Sequence, residues 1–251
     1  MENNLHNKVI LVTGASSGIG EATARMAARH GAIIGLAARR SDKLRSIADD
    51  ITSSGGKAEV FEADITDESV CNRLVTEVED RLGPIDVLVN NAGVMLLGPV
   101  LKAPTGEWRT MVEVNVLGLM YMTHAMLPGM VGRKTGHIIN VSSVAGRTAT
   151  ANSAVYNATK WAVNAFTEAL RHELAGGKTG IRTTLIEPGA VATELISHNR
   201  EESQEAINKR LAGINKRLEA DDIARSIIYA ISQPEHVSVN EILIRPTEQD
   251  G

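Results

Sequence analysis

Thr13-Gly14-Ala15-Ser16-Ser17-Gly18-Ile19-Gly20 decides the reading of this chain, because of what flanks it. Ahead of it lies the short apolar run Val9–Val12, and behind it comes helix-forming sequence from Glu21 to His30, closed by Gly31. A strand, a glycine-rich turn and a helix are therefore in register. Glycines are needed in such a turn because it is tight, because the backbone must approach a pyrophosphate closely, and because the helix must pack on the strand. The helix N-terminus adds unpaired N–H groups and a partial positive charge, both suited to phosphate. Gly14, Ser16, Ser17, Gly18, Ile19 and Gly20 are thus candidate cofactor-binding residues. A tight turn without a ligand would also explain the cluster alone; its place directly after the first strand favours the cradle.

Outward from that unit the pattern recurs. Ile33–Leu36, Glu59–Phe61, Val87–Val89, His137–Val141, Thr183–Ile186 and Glu241–Ile244 read as further strands. Helical spacing fills the intervals, for example at Lys43–Thr52 before Gly55-Gly56 and at Glu68–Leu82 before Gly83-Pro84. The strands are apolar along their length, as in a parallel sheet covered by helices on both faces. The sequence therefore predicts an α/β chain. It is read as one doubly wound domain over residues 1–251, a Rossmann fold with a seven-stranded parallel sheet. No linker or internal repeat divides it. The stretch Trp108–Val131 is apolar around most of a helix and needs cover on two sides, either from the sheet and a neighbouring helix or from a second subunit. Ser197–Ala220, rich in Glu, Lys, Arg and Asn, reads as a solvated helical excursion, and residues 190–220 as a substrate-binding loop that acts as a lid.

Composition narrows the class. The chain has 251 residues, enough for one substantial core, and its 43% hydrophobic and 22% charged residues disfavour disordered, collagen-like and disulfide-stapled proteins. A net charge of −4, with both signs scattered, gives no basic stripe, so nucleic acid is not an expected partner. Cys71 is the sole cysteine, which rules out an intrachain disulfide and, with no metal-type His spacing, a zinc site. A reducing compartment and no metal are expected. The polar opening Met1–Asn7 and the short run Val9–Val12 match neither a signal segment nor a membrane span, so the expectation is a cytoplasmic protein without a membrane anchor.

The choice of dinucleotide falls at the end of the second strand, where an acid would bind the ribose hydroxyls of NAD. Ala38 stands there, followed by Arg39 and Arg40, and a guanidinium clamps a 2′-phosphate through paired hydrogen bonds. NADP(H) is the favoured cofactor; two arginines on a solvated loop are the alternative. Tyr156 and Lys160 lie four apart in a helical stretch and so share a face. A phenol with an ordinary pKa of about 10 is a poor acid–base at neutral pH, and an ammonium nearby favours the phenolate. Ser143, at the end of the fifth strand, is placed to hold a substrate oxygen, although a serine there also serves as a cap.

These residues resemble those of the short-chain dehydrogenases/reductases. The resemblance covers nearly the whole chain and rests on Thr13-Gly14-x-x-x-Gly18-x-Gly20, Asn90-Asn91-Ala92-Gly93, Asn115, Ser143 thirteen residues before Tyr156-x-x-x-Lys160, and Pro188-Gly189. It implies Tyr156 as the acid–base, Lys160 as the residue that binds the nicotinamide ribose and lowers the Tyr pKa, Ser143 as the substrate-oxygen donor, and Asn115 as the holder of a water in a proton relay. It also implies adenine contacts from Asp64 and Ile65, and cofactor lining from Asn91, Ala92 and Gly93. Pro188, Gly189, Val191 and Thr193 would form the nicotinamide side of the cleft, and Arg39 the residue that discriminates for NADP.

More loosely, Ala37-Ala38-Arg39-Arg40 and the ending Val239–Pro246 are similar to a bacterial branch that includes clavulanate-type aldehyde reductases and serine-type hydroxy-acid dehydrogenases. The implied reaction is hydride transfer between the nicotinamide and a small carbonyl or secondary alcohol. The implied assembly is a homo-oligomer, a tetramer before a dimer. Met95, Leu96, Val144, Ala145, Ala190 and Leu195 are the expected apolar pocket wall. Arg147 and Glu194 are polar specificity candidates, Arg147 for a substrate carboxylate, with solvated charges as the alternative. An NAD-preferring enzyme and a non-catalytic dinucleotide sensor are competing readings; the sensor has no need of Tyr156 and Lys160.

Overall fold

The β-branched runs become strands because each is apolar on both alternating faces. In β1 (Val9–Thr13) the side chains of Ile10 and Val12 enter one core and those of Val9 and Leu11 the other. Successive residues of a strand point to opposite sides, so a continuous apolar run demands helices above and below. The computed structural model describes residues 5–249. It continues with β2 (Ile33–Ala38), β3 (Lys57–Glu62), β4 (Ile85–Asn90), β5 (Gly136–Val141), β6 (Ile181–Pro188) and β7 (Glu241–Ile244), in the spatial order β3-β2-β1-β4-β5-β6-β7 with every neighbouring pair parallel.

On one face lie α1 (Gly18–Arg29), α2 (Ser41–Ser53) and α8 (Ala220–Ile231), sealed by residues such as Ala24, Leu44 and Ile227. On the other lie α3 (Glu68–Leu82), α5 (Leu119–Arg133) and α6 (Ala154–Gly176), sealed by Leu74, Met122 and Leu170. The expected doubly wound parallel sheet is what forms. The chain turns outward one way after β1 and the other way from β4, which opens a crevice above the carboxyl ends of those two strands.

Helix bounds differ in informative ways. The expected helix Glu21–His30 begins earlier, at Gly18, so the glycine turn feeds directly into its first turn. The Trp108–Val131 stretch lies inside an unbroken helical run formed by α4 (Thr105–Val112), a wide π turn at Glu113–Gly118, and α5. π turns inside α-helices frequently mark functional sites, and Asn115 sits in this one. Gly118 is required there, since a Cβ would stand 2.8 Å from Ile65 in the β3–α3 connection. Among the described residues this run, Thr105–Arg133, has the length and composition of a membrane span. Met122, Met126 and Met130 nevertheless bury one side of it against the sheet, while Val112 and Val131 are exposed.

The excursion carries the expected, mostly solvated helix. A 3-10 turn at Glu194–His198 leads into α7 (Glu201–Leu211). The segment is fastened to the loop after β4: Asn199 accepts from the Leu97 N–H at 2.7 Å and donates to the Met95 carbonyl at 2.8 Å, and the Ser203 hydroxyl donates to the Leu97 carbonyl at 2.7 Å. Deeper down, the Asn90 amide donates to Thr123 at 3.1 Å and Asn140 at 3.0 Å, and the Asn140 amide donates to Thr167 at 2.8 Å. This buried ladder ties β4 and β5 to α5 and α6 and sets the height at which α6 presents its side chains.

Candidate active site

The crevice is a continuous cavity of about 830 Å³, within the size range of ligand sites. One end is the phosphate cradle. Gly14 takes φ +63°, and a Cβ on it would stand 2.7 Å from the Ala92 backbone, so only glycine fits. Ser17 leaves the N-terminus of α1 without a side-chain cap, and Ser16, Ser17, Gly18 and Ile19 line the cavity there. Unpaired helix N–H groups facing a cavity are the donor set a pyrophosphate needs. Gly20 corrects the expectation. It does not line the cavity, and a Cβ on it would be driven into the Asn91 amide and the Gly14 carbonyl; its role is close packing of the turn.

At the rim stand Ala38, Arg39, Arg40, Asp64 and Ile65. Arg40 is the anchored arginine, donating from Nε to Ser16 at 3.1 Å and from Nη2 to Ser17 at 2.7 Å. Arg39 is largely solvated and lies 4.0 Å from Asp64. The surprise is Glu194, expected at the substrate. Its two oxygens accept from Arg40 Nη1 and Lys43 Nζ, each at 3.1 Å, so it faces the cofactor rim, and the same two cations hold its carboxyl below the ordinary range.

The other end is built from β5 and α6. Ser143 follows β5; its hydroxyl accepts from the Ala145 N–H at 3.1 Å and donates to the Pro188 carbonyl at 3.4 Å, beside the Tyr156 hydroxyl. Lys160 donates to the Val141 carbonyl at 3.0 Å, with its ammonium 5.8 Å from the Tyr156 ring centroid. Gly93 keeps the floor open between these groups: a Cβ there would lie 3.3 Å from Asn115 Oδ1 and 3.8 Å from Lys160 Nζ. Asn91, Ala92, Pro188, Gly189, Val191 and Thr193 complete the lining as expected. The Asn115 side chain does not reach the cavity. It clasps the Val94 N–H and carbonyl, both at 2.8 Å, and Thr159 at 3.2 Å, fixing the floor from behind.

Burial dominates the electrostatics of Tyr156 and Lys160. Burial pushes the phenol up to about 12, opposed by the Ser143 hydrogen bond, and burial pulls the Lys160 ammonium down to about 8. Both shifts favour the neutral forms.

The substrate end is lined by Met95, Val144, Ala145, Ala190 and Leu195, as expected. Leu96 does not line it; it packs into the small cluster of Leu97, Met111 and Ile207, and Leu97 takes its place at the cavity. Arg147 is also displaced. It turns behind the site, donating at 2.7 Å to Glu187, a fully buried carboxylate in β6, and pairing with Glu241 in β7. Glu187 accepts in addition from Asn164 at 2.7 Å, and Asn164 accepts from Ser142 at 2.6 Å. A buried carboxylate needs such partners, so Arg147 is not free for a ligand.

Asn164 was legible in principle, as the next residue after Tyr156 and Lys160 at the same four-residue spacing. Arg210, Thr150 and Gln249 also line the cavity, with no sequence signal to mark them, because α7 and the C-terminal segment reach it through tertiary folding. Arg210 donates to Thr150 at 3.2 Å and has no acidic partner among the described residues.

Residues 8–204 match the family model for the short chain dehydrogenases. An oxidoreductase of Staphylococcus saprophyticus, itself described as uncharacterized, is 42% identical over 98% of this chain and 99% of its own. The closed form of a serine dehydrogenase complexed with NADP+ superposes with a TM-score of 0.89 at 34% identity, covering 97% of this chain and 96% of that one. A short-chain dehydrogenase/reductase from Burkholderia phymatum in complex with NAD gives a TM-score of 0.87 at 27% identity over 96% and 89% of the two chains. The chain belongs to the short-chain dehydrogenase/reductase family. It is accordingly an oxidoreductase of the nicotinamide-dinucleotide type, and the cradle fits that cofactor.

The Lys160 shift gives a stability prediction for the ligand-free protein. The folded state loses the Lys160 proton near pH 8, the unfolded state near 10.5, so the unfolded state binds more protons between those values and stability from this group rises with pH across the window. Lys160→Met is expected to raise the thermal midpoint at pH 7 and to flatten its rise between pH 8 and 10.5. Thermal unfolding of both proteins across that range checks this; an unchanged pH profile would count against a dry ammonium.

Proposed function

We propose that this enzyme is an NADP(H)-dependent carbonyl reductase, running as an alcohol dehydrogenase in reverse. The observation that carries the reading is the cavity, which runs unbroken from the arginine rim over the glycine turn to the Ser143–Tyr156 pair. When bound, the dinucleotide supplies or accepts the hydride at the substrate carbon. The remaining chemistry is the protein's own. Tyr156 gives its proton to the substrate oxygen, and Ser143 donates a hydrogen bond that stabilises the charge developing there. Lys160 would hold the nicotinamide ribose, and its ammonium, on the same helix face as Tyr156, would favour the phenolate. Asn115, behind the floor loop, positions it beside Lys160.

The adenosine end would rest against Asp64 and Ile65, with Arg39 and Arg40 receiving a 2′-phosphate in place of the acid that Ala38 does not supply. Asn91, Ala92 and Gly93 would underlie the middle of the cofactor, and Pro188, Gly189, Val191 and Thr193 its nicotinamide side. Residues 190–220 act as the lid, and the chain folds around one site as a single domain. The apolar wall suits a small or medium ketone or aldehyde. A second reading, an oxo- or hydroxy-acid, is favoured by the Arg210 guanidinium at the cavity, which has no acidic partner among the described residues, and by the serine dehydrogenase likeness. Exposed Val112, Val131 and Trp161 on the α4–α5 run and α6 support a homo-oligomer, tetrameric before dimeric. A reducing cytoplasm suits the free, buried Cys71.

Tyr156→Phe is expected to retain NADPH binding while turnover of activated ketones falls at least about 10²-fold, followed at the reduced-nicotinamide absorbance. Substantial residual turnover would contradict the assignment. For the acid reading, Arg210→Ala should raise KM for an acidic substrate about tenfold and leave its neutral analogue unchanged; equal effects on both would exclude that role. Trp161→Glu should shift sedimentation toward a smaller species, and an unaltered coefficient would remove α6 from the subunit contact.

A further inference from the structure

Glu194 opens the lid, yet its carboxylate lies on the cofactor rim rather than over the substrate. Arg40 has five N–H donors, of which Nε and Nη2 hold Ser16 and Ser17 at 3.1 and 2.7 Å and Nη1 holds Glu194 Oε2 at 3.1 Å. The other oxygen, Oε1, takes Lys43 at 3.1 Å. One carboxylate therefore neutralises two of the three cations at the end of the cavity where an acid after β2 is missing. The third, Arg39, has its own counter-charge in Asp64 at 4.0 Å. The two serines fix the Arg40 fork without help from Glu194.

We propose that Glu194 is a selectivity residue for the cofactor: its carboxylate competes with a 2′-phosphate for Arg40 and Lys43, and so holds the preference for the phosphorylated dinucleotide below what those cations alone would set. This rests on the reading that a nicotinamide dinucleotide lies along the cavity with its adenosine end at Arg39 and Arg40. A phosphate monoester carries nearly two negative charges and takes the same donors, so phosphate and carboxylate repel across shared cations. A cofactor with plain ribose hydroxyls meets no such repulsion, and a carboxylate is a suitable acceptor for them. The competition has a structural consequence, because Glu194 begins the 3-10 turn whose cap, Thr193, lies 3.3 Å from the Cβ position of Gly18. A 2′-phosphate sharing Arg40 and Lys43 would weaken their hold on Glu194 at the start of this turn, whereas the unphosphorylated cofactor leaves it tied.

The test is the dissociation constant of NADPH and of NADH for the full chain and for Glu194→Gln, at low salt and again at high salt. The glutamine keeps the shape and one of the two acceptor oxygens while removing the charge. NADPH should bind about three- to tenfold more tightly to the variant at low salt, with the gain shrinking as salt rises, because the pair is half exposed and screened. NADH should bind equally or more weakly. The gain should vanish when Arg40 and Lys43 are both replaced by Met, since no shared cation then remains. Unchanged or weaker NADPH binding in Glu194→Gln, with the wild type binding normally, overturns this proposal alone and leaves Glu194 as a mere orienter of Arg40. A wild type that binds neither dinucleotide overturns the parent reading, and this one with it.

Discussion

The junction between the ends of β1 and β4 is the constraint on which the rest depends. Thr13 donates to the Val89 carbonyl and accepts from the Asn91 and Ala92 N–H groups at 3.1 and 3.2 Å, while the Asn91 amide returns bonds to the Thr13 and Gly14 carbonyls at 3.0 and 3.2 Å. Two strands whose chains leave in opposite directions are thereby locked at their tips. The lock leaves no room for a Cβ at Gly14, so the turn must be glycine, and it directs the first turn of α1 into the crevice. Phosphate cradle and sheet topology are in this sense one feature.

Against that fixed floor, α6 carries two ionisable groups into a buried place beside the end of β5. Burial drives Tyr156 up to about 12 and Lys160 down to about 8, so at neutral pH the phenol keeps its proton while the lysine is still mainly an ammonium.

Behind the site, Glu187 in β6 collects Arg147 and Asn164, and Asn164 holds Ser142 beside Ser143. A fully buried carboxylate satisfied in this way fixes the loop after β5 against α6 and keeps the Ser143 hydroxyl at the height of the Tyr156 phenol. In front of it the segment after β6 is pinned twice, by Asn199 and Ser203 to the loop after β4 and by Glu194 to Arg40 at the cavity rim.

What the sequence determined by itself was everything set by local spacing. Apolar alternation in runs such as Val9–Val12 dictated strands buried on both sides, the glycines at 14 and 18 dictated the cradle, and the four-residue interval from Tyr156 to Lys160 dictated a common helix face. Periodicity and turn chemistry act over a few residues, so they are written in the chain directly. Tertiary structure alone decided where long charged side chains end. Arg147 and Glu194 read equally well as substrate contacts, yet one turned to a buried carboxylate 40 residues away and the other to cations more than 150 residues away. It likewise brought Arg210 to the cavity and took Leu96 and Gly20 out of it. Such outcomes depend on which distant groups the packing of helices on the sheet makes neighbours, and no local pattern carries that information.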